Sequence, residues 1–195
     1  MGEIARRLVE LSGPQAVHGI IPHALVKVEE GYKNGNGNGN DKTDGGGDTA
    51  AGPGKSAERV TSTGEQTVNE EYGVTTLVPD MHTRKRLMAK EVINGGPGSG
   101  FVVLPGGFGT LEEAMEMTTW NQLGIHHRGI VLLNIEGYYD GVLQWLQRSV
   151  EQEFVSAANQ SILGECKEPE EALKILDKYR VSEGRYKLDW GVQQG

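Results

Sequence analysis

Val103-Leu104-Pro105-Gly106-Gly107-Phe108-Gly109-Thr110-Leu111-Glu112-Glu113 is the stretch on which the reading of this chain turns. An apolar strand, Phe101 to Leu104, runs into three glycines within four positions and then into a helix read as Thr110 to Leu123. Glycines let backbone approach a ligand closely, and amides at the following helix start favour an anion. Thr110 stands where a cap is wanted, with Glu112 and Glu113 in the expected first turn. The pattern suits a phosphate-bearing ligand beside a carboxylate. It equally suits a tight strand-to-helix turn with a well-capped helix and no ligand.

Outward from this turn, strand and helix alternate. Ile4, Leu8 and Leu11 set an apolar stripe on an opening helix, and Ala16 to Pro22 reads as a short buried strand. Val74 to Val78 reads as a strand, and Pro79-Asp80 starts a helix running to about Val92. Ile130 to Asn134 is a further strand, followed by an amphipathic helix, Gly141 to Phe154, carrying Val142, Leu146 and Val150. A Ser161-Ile162-Leu163 strand and a Pro169 to Tyr179 helix follow. Such alternation predicts an α/β protein with a parallel sheet and helices on both faces. Ligands of such sheets bind outside the carboxyl ends of the strands.

One domain is expected from the 195 residues, spanning 1–180, with a loose tail over 181–195. Residues 31–68, with Asn34-Gly35-Asn36-Gly37-Asn38-Gly39-Asn40 and Gly45-Gly46-Gly47, hold almost nothing to bury and read as a disordered insertion. Nineteen basic against 27 acidic residues leave a net charge of −8, which disfavours a nucleic-acid duplex or an anionic membrane as partner. No apolar run has the length of a membrane span, and no signal peptide is read at the start. Cys166 is the one cysteine, so an intrachain disulfide is impossible and a cysteine-based metal cluster is not expected. These traits fit a soluble cytoplasmic protein.

A second cluster, Pro79-Asp80-Met81-His82-Thr83-Arg84-Lys85-Arg86-Leu87-Met88, also opens a helix directly after a strand. Arg84 offers a phosphate a bidentate fork and Lys85 a point charge. Met81, Arg84, Lys85 and Met88 share one helical face, which is either an anion site or a solvated basic face beside a buried Met pair. His82 reads as a helix-start histidine. Trp120 and Trp145 read as core or subunit-contact residues.

Together the two clusters resemble the Lonely Guy family, the cytokinin riboside 5′-monophosphate phosphoribohydrolases. That family's pattern is an Arg-Lys pair followed by P-G-G-x-G-T-x-x-E, matched here by Arg84-Lys85 and Pro105 to Glu113. Further matches are Thr119-Trp120-Asn121-Gln122-Leu123-Gly124-Ile125-His126, Leu133-Asn134-Ile135-Glu136-Gly137-Tyr138-Tyr139 and Val17-His18-Gly19-Ile20-Ile21-Pro22. The resemblance implies a Rossmann-like three-layer fold and hydrolysis of the N-glycosidic bond of N6-modified adenosine 5′-monophosphates, or of AMP. The products would be free base and ribose 5-phosphate. It implies Glu113 and Arg84 as catalytic residues. Glu113 would stabilise the ribosyl cation, and Arg84 would orient the ribose phosphate or Glu113. Lys85, Gly106, Gly107, Phe108, Gly109, Thr110, Leu111, Glu112, Thr119, Met81 and Glu29 are implied as substrate-binding. It also implies a homodimer, with neither metal nor organic cofactor. Members often carry the label lysine decarboxylase, but nothing here frames a Schiff-base lysine over a large cofactor pocket.

The chain departs from the family at its start. Met1-Gly2-Glu3-Ile4 resembles the end of the family's Gly-rich loop, so roughly 50 residues, somewhat more than one βαβ unit, would be lacking. The expected fold is therefore N-terminally incomplete. The alternative expectation is a non-catalytic nucleotide-binding or interaction protein derived by that truncation. Arg128-Gly129 stands where the family usually has Lys-Pro.

Overall fold

The computed structural model describes residues 2–26, 57–61 and 64–190. The chain is α/β, with parallel sheets flanked by helices, as in Rossmann-like three-layer folds. It divides into two compact units, Met1–Met88 and Ala89–Gly195.

The first unit opens with α1 (Gly2–Ser12) and continues into β1 (His18–Pro22), β2 (Ala57–Thr61), β3 (Gly64–Asn69) and β4 (Gly73–Val78). The sheet order is β1-β4-β3-β2. Only the β1–β4 pair is parallel, with His18 opposite Val74 and Pro22 opposite Val78. The disordered reading of 31–68 does not hold at its end, because β2 and β3 pair antiparallel and β3 continues onto β4. Pairing to an apolar neighbour supplies there what apolar alternation within the segment does not. Residues 31–56 lie outside the described part. On α1, Val9 is buried, whereas the Ile4, Leu8 and Leu11 stripe is exposed among the described residues.

The chain passes into the second unit along α2 (Met81–Ile93) and then forms β5 (Gly100–Val103), α3 (Phe108–Gln122), β6 (Gly129–Leu133), α4 (Asp140–Glu151), β7 (Leu163–Cys166) and α5 (Pro169–Lys178). These strands make an all-parallel sheet of order β5-β6-β7. Residues Ser161 and Ile162, read as strand, belong instead to a 3-10 segment, Ala157–Ile162.

Every residue of β6 is buried, and its side chains alternate between two cores. Ile130 and Leu132 pack with Ala114 and Met117 of α3 and Leu146 of α4. Val131 and Leu133 pack with Cys166 and with Ala172 and Leu176 of α5. Period-two alternation on a central parallel strand thus creates helix layers on both faces. Trp120 packs against the first core, while Trp145 is exposed. Burial holds the Cys166 thiol above its usual pKa.

The described part of the tail, 181–190, is tied down: the Tyr186 amide donates to the Gln122 carbonyl at 2.8 Å and Trp190 Nε1 to the Leu123 carbonyl at 3.0 Å. These bonds serve carbonyls at the end of α3 that the helix ladder leaves over. Among the described residues no helix is long and apolar enough to cross a membrane.

Candidate functional site

The glycine turn leaves the carboxyl end of β5 and delivers α3, as its sequence suggests, but the helix starts earlier. Gly107 is the N-cap residue and Phe108 the first helical one, so Thr110 is not the cap. The first bond of the helix runs from the Leu111 amide to the Gly107 carbonyl at 3.1 Å. The amides of Phe108, Gly109 and Thr110 therefore precede the helix's own ladder and carry the positive end of its dipole. Glu112 and Glu113, expected in the first turn, are the fifth and sixth helical residues. Glu113 is half-buried and Glu112 exposed.

Gly106 is a glycine for a reason of space. A Cβ there would lie 2.2 Å from Thr110 Oγ1 and 2.9 Å from Thr110 Cβ. Thr110 thus folds back over the turn, keeping its hydroxyl beside the glycine backbone. Phe108 is almost wholly exposed, at 96%. Leu111 packs against the core, and Thr119, two turns further along α3, is exposed.

The turn is fastened from the neighbouring strand's loop. After β6, Asn134 is buried and donates through Nδ2 to Asp140 Oδ1 at 2.8 Å and to Glu165 Oε1 at 2.7 Å. Its Oδ1 accepts the Tyr139 amide at 2.7 Å. Glu136 and Gly137 follow with φ of 51° and 75°, left-handed values that fold the loop back on itself. Holding a glutamate there costs about 1–3 kcal/mol. The next two residues reach across to the glycine turn. Tyr139 Oη donates to the Leu104 carbonyl at 2.5 Å, and Tyr138 Oη to the Gly106 carbonyl at 2.7 Å. The two rings meet edge to face, 5.1 Å apart at 88°. Burial, helped by the neighbouring Tyr138, raises the Tyr139 hydroxyl's pKa, so it stays a donor through the neutral range. Sequence reading found this segment only as part of a resemblance and gave its tyrosines no role.

In the first unit the basic cluster is built on the start of α2. Asp80 caps the helix, its Oδ1 accepting the Thr83 amide at 2.8 Å and its Oδ2 the Thr83 hydroxyl at 3.0 Å. These bonds lower the Asp80 pKa. Arg84 is half-buried, and its Nε donates to the Ile20 carbonyl of β1 at 3.2 Å, which ties the side chain to the neighbouring parallel strand. Lys85 is half-buried; Met81 and Met88 are exposed, so no buried methionine pair backs this face. Each cluster stands at the carboxyl end of parallel strands in its own unit. Glu29 lies outside the described residues. Among those described, no group of three or more His, Cys, Asp or Glu side chains could hold a metal ion.

Comparison with known proteins matches this chain to named relatives. A bifunctional cytokinin biosynthesis protein of Fusarium pseudograminearum is 44% identical over 190 residues, covering 97% of this chain and 34% of its own. The cytokinin riboside 5′-monophosphate phosphoribohydrolase LOG1 of Arabidopsis thaliana is 39% identical over 127 residues, 64% of this chain and 57% of its own. LOG7 of the same plant, carrying the same name, is 37% identical over 123 residues, 62% of this chain and 54% of its own. The chain thus spans about a third of the first relative and a little over half of the other two. The pattern of the family described as "Possible lysine decarboxylase" covers residues 1–176, and the chain belongs to that family.

Proposed function

We propose that this chain carries the phosphoribohydrolase function named in its relatives, cleaving the N-glycosidic bond of N6-modified adenosine 5′-monophosphates. The observation that carries the reading is the turn Pro105–Gly107. It presents α3's leading amides beside Thr110, with Glu113 half-buried farther along the same helix. Amides ahead of a helix ladder suit a 5′-phosphate, and a carboxylate suits the oxocarbenium-like ribosyl cation formed as the base departs. Glu113 stabilises that cation and helps activate the attacking water. Arg84, matching the catalytic arginine of the family the motifs resemble, orients the ribose phosphate by charge-assisted hydrogen bonds. Lys85, Gly106, Gly107, Phe108, Gly109, Thr110, Leu111 and Glu112 complete the binding residues, with Thr119, Met81 and Glu29 as further contacts. The acting species is a homodimer in the cytoplasm.

The test is base release from isopentenyladenosine 5′-monophosphate and from AMP, followed by chromatography for free base and ribose 5-phosphate. Glu113→Gln should lower kcat at least a hundredfold, the usual scale for losing a positioned acid–base group. Unchanged release in that variant overturns the assignment of Glu113. Nucleotide binding with no release by the unaltered protein instead supports a non-catalytic nucleotide-binding protein.

A further inference from the structure

We infer that Tyr138 and Tyr139 are positioning residues that latch the glycine turn in the one peptide orientation that presents its amides to a phosphate. The inference rests on the phosphate reading above. It begins with the peptide group itself. A trans peptide is planar, so the direction of a carbonyl fixes the opposite direction of the next N–H. The carbonyl held by Tyr138 is that of Gly106, and its peptide partner is the Gly107 amide. With glycine on both sides, this peptide can rotate past either residue at little steric cost. Nothing in the local sequence stops it from turning its N–H inward and its carbonyl toward the ligand. A carbonyl there would repel a phosphate.

The hydrogen bond from Tyr138 removes that freedom. Tyr139 holds the Leu104 carbonyl two peptides earlier, where Pro105 offers no N–H, so it anchors the start of the turn and the turn is gripped on both sides of the proline. Latch and turn belong to adjacent parallel strands, β6 and β5, and the latch is itself immobilised. Tyr139 is 1% exposed, its amide is bound to Asn134, and Asn134 is anchored to Asp140 and Glu165. The left-handed Glu136–Gly137 pair is the strain that brings both rings to this face. A side chain at Gly137 is disfavoured by its φ of 75° and by a Cβ that would lie 2.6 Å from Asp140 Oδ2. Tyr138 is more than half exposed, so its hydroxyl adds little to stability, and its value lies in what it orients.

The experiment compares the unaltered chain with Tyr138→Phe, Tyr139→Phe and the double variant. It reads NMR order parameters of the backbone amides over residues 106–110, affinity for ribose 5-phosphate, melting temperature, and kcat and KM for base release. The latch predicts order parameters at Gly107 to Thr110 falling from about 0.85 toward 0.6 in Tyr138→Phe. It also predicts weaker ribose 5-phosphate binding and raised KM at an unchanged melting temperature. Order parameters at 107–110 equal to the unaltered chain's overturn the inference. So does a fall spread over the whole second unit with a lowered melting temperature in Tyr138→Phe. If the unaltered chain releases no base, the phosphoribohydrolase reading fails, while order parameters and ribose 5-phosphate affinity still decide the latch.

Discussion

The guanidinium of Arg128 donates twice to the carbonyl of Ile93, through Nε at 3.1 Å and Nη2 at 2.7 Å. The same side chain reaches the Gly96 carbonyl at 3.0 Å through Nη1 and also binds the Gly95 carbonyl. One planar cation thus serves a set of carbonyls at the carboxyl end of α2, where the helix ladder leaves acceptors over and the dipole is negative. The position is one where the resembled family usually has Lys.

Arg128→Lys is expected to destabilise the second unit by about 1–2 kcal/mol, and Arg128→Ala by more, because an ammonium cannot reproduce the fork. Urea unfolding checks this through a lowered midpoint at unchanged m value. A midpoint for Arg128→Lys equal to the parent's would show that charge alone suffices.

His126 makes stability depend on pH. It is 2% exposed, with Nε2 bonded to the Met117 carbonyl at 2.9 Å and Nδ1 accepting the Arg128 amide at 3.1 Å. That pairing requires a neutral ring protonated on Nε2, since a proton on Nδ1 would face the amide hydrogen. Burial is the main cause of a pKa held below the usual 6.5, only partly opposed by the Met117 carbonyl. A depressed pKa means full stability above the unfolded value of 6.5, lost as pH falls toward the folded value, because only the unfolded chain takes the proton. The expected slope approaches about 1.4 kcal/mol per pH unit. Urea midpoints between pH 7.5 and pH 5 measure it. His126→Gln, which keeps a donor for Met117, should flatten this part of the profile.

Gly106→Ala drives a methyl group into Thr110, with contacts of 2.2 Å to Oγ1 and 2.9 Å to Cβ. A cost of about 1–3 kcal/mol is expected, as for overpacking elsewhere. Adding Thr110→Gly removes the three nearest contacts, all of them with the Thr110 side chain, and should recover much of that overpacking loss. Thermal unfolding of the single and double variants decides it. No recovery would place the strain in the backbone of the turn instead.

The features legible in the sequence were those written locally. The β5–glycine turn–α3 run, the Asp80 start of α2 and the continuous apolar run of β6 each declare themselves within a dozen residues. The helix start was misplaced by two residues because Thr110 resembles a cap, while Gly107, Phe108 and Gly109 have little intrinsic reason to begin a helix. The β2–β3 pair is hidden because β3 is held by β4 and β2 by β3, and neither carries an apolar alternation of its own. Arg128 and the two tyrosines escaped for a shared reason. Their partners are backbone carbonyls more than thirty residues away, and a carbonyl leaves no trace in the identity of its residue.

The seclusion of Cys166 has a practical reach. It is the chain's single cysteine, 3% exposed, its thiol raised in pKa and packed between β6 and α5. Thiolate, the species that attacks alkylating reagents, is scarce there and shielded. The folded protein is therefore close to a blank slate for thiol labelling. A cysteine introduced on the exposed face of Phe108 or Tyr138 would take a fluorophore almost alone, giving a direct optical report on the glycine turn.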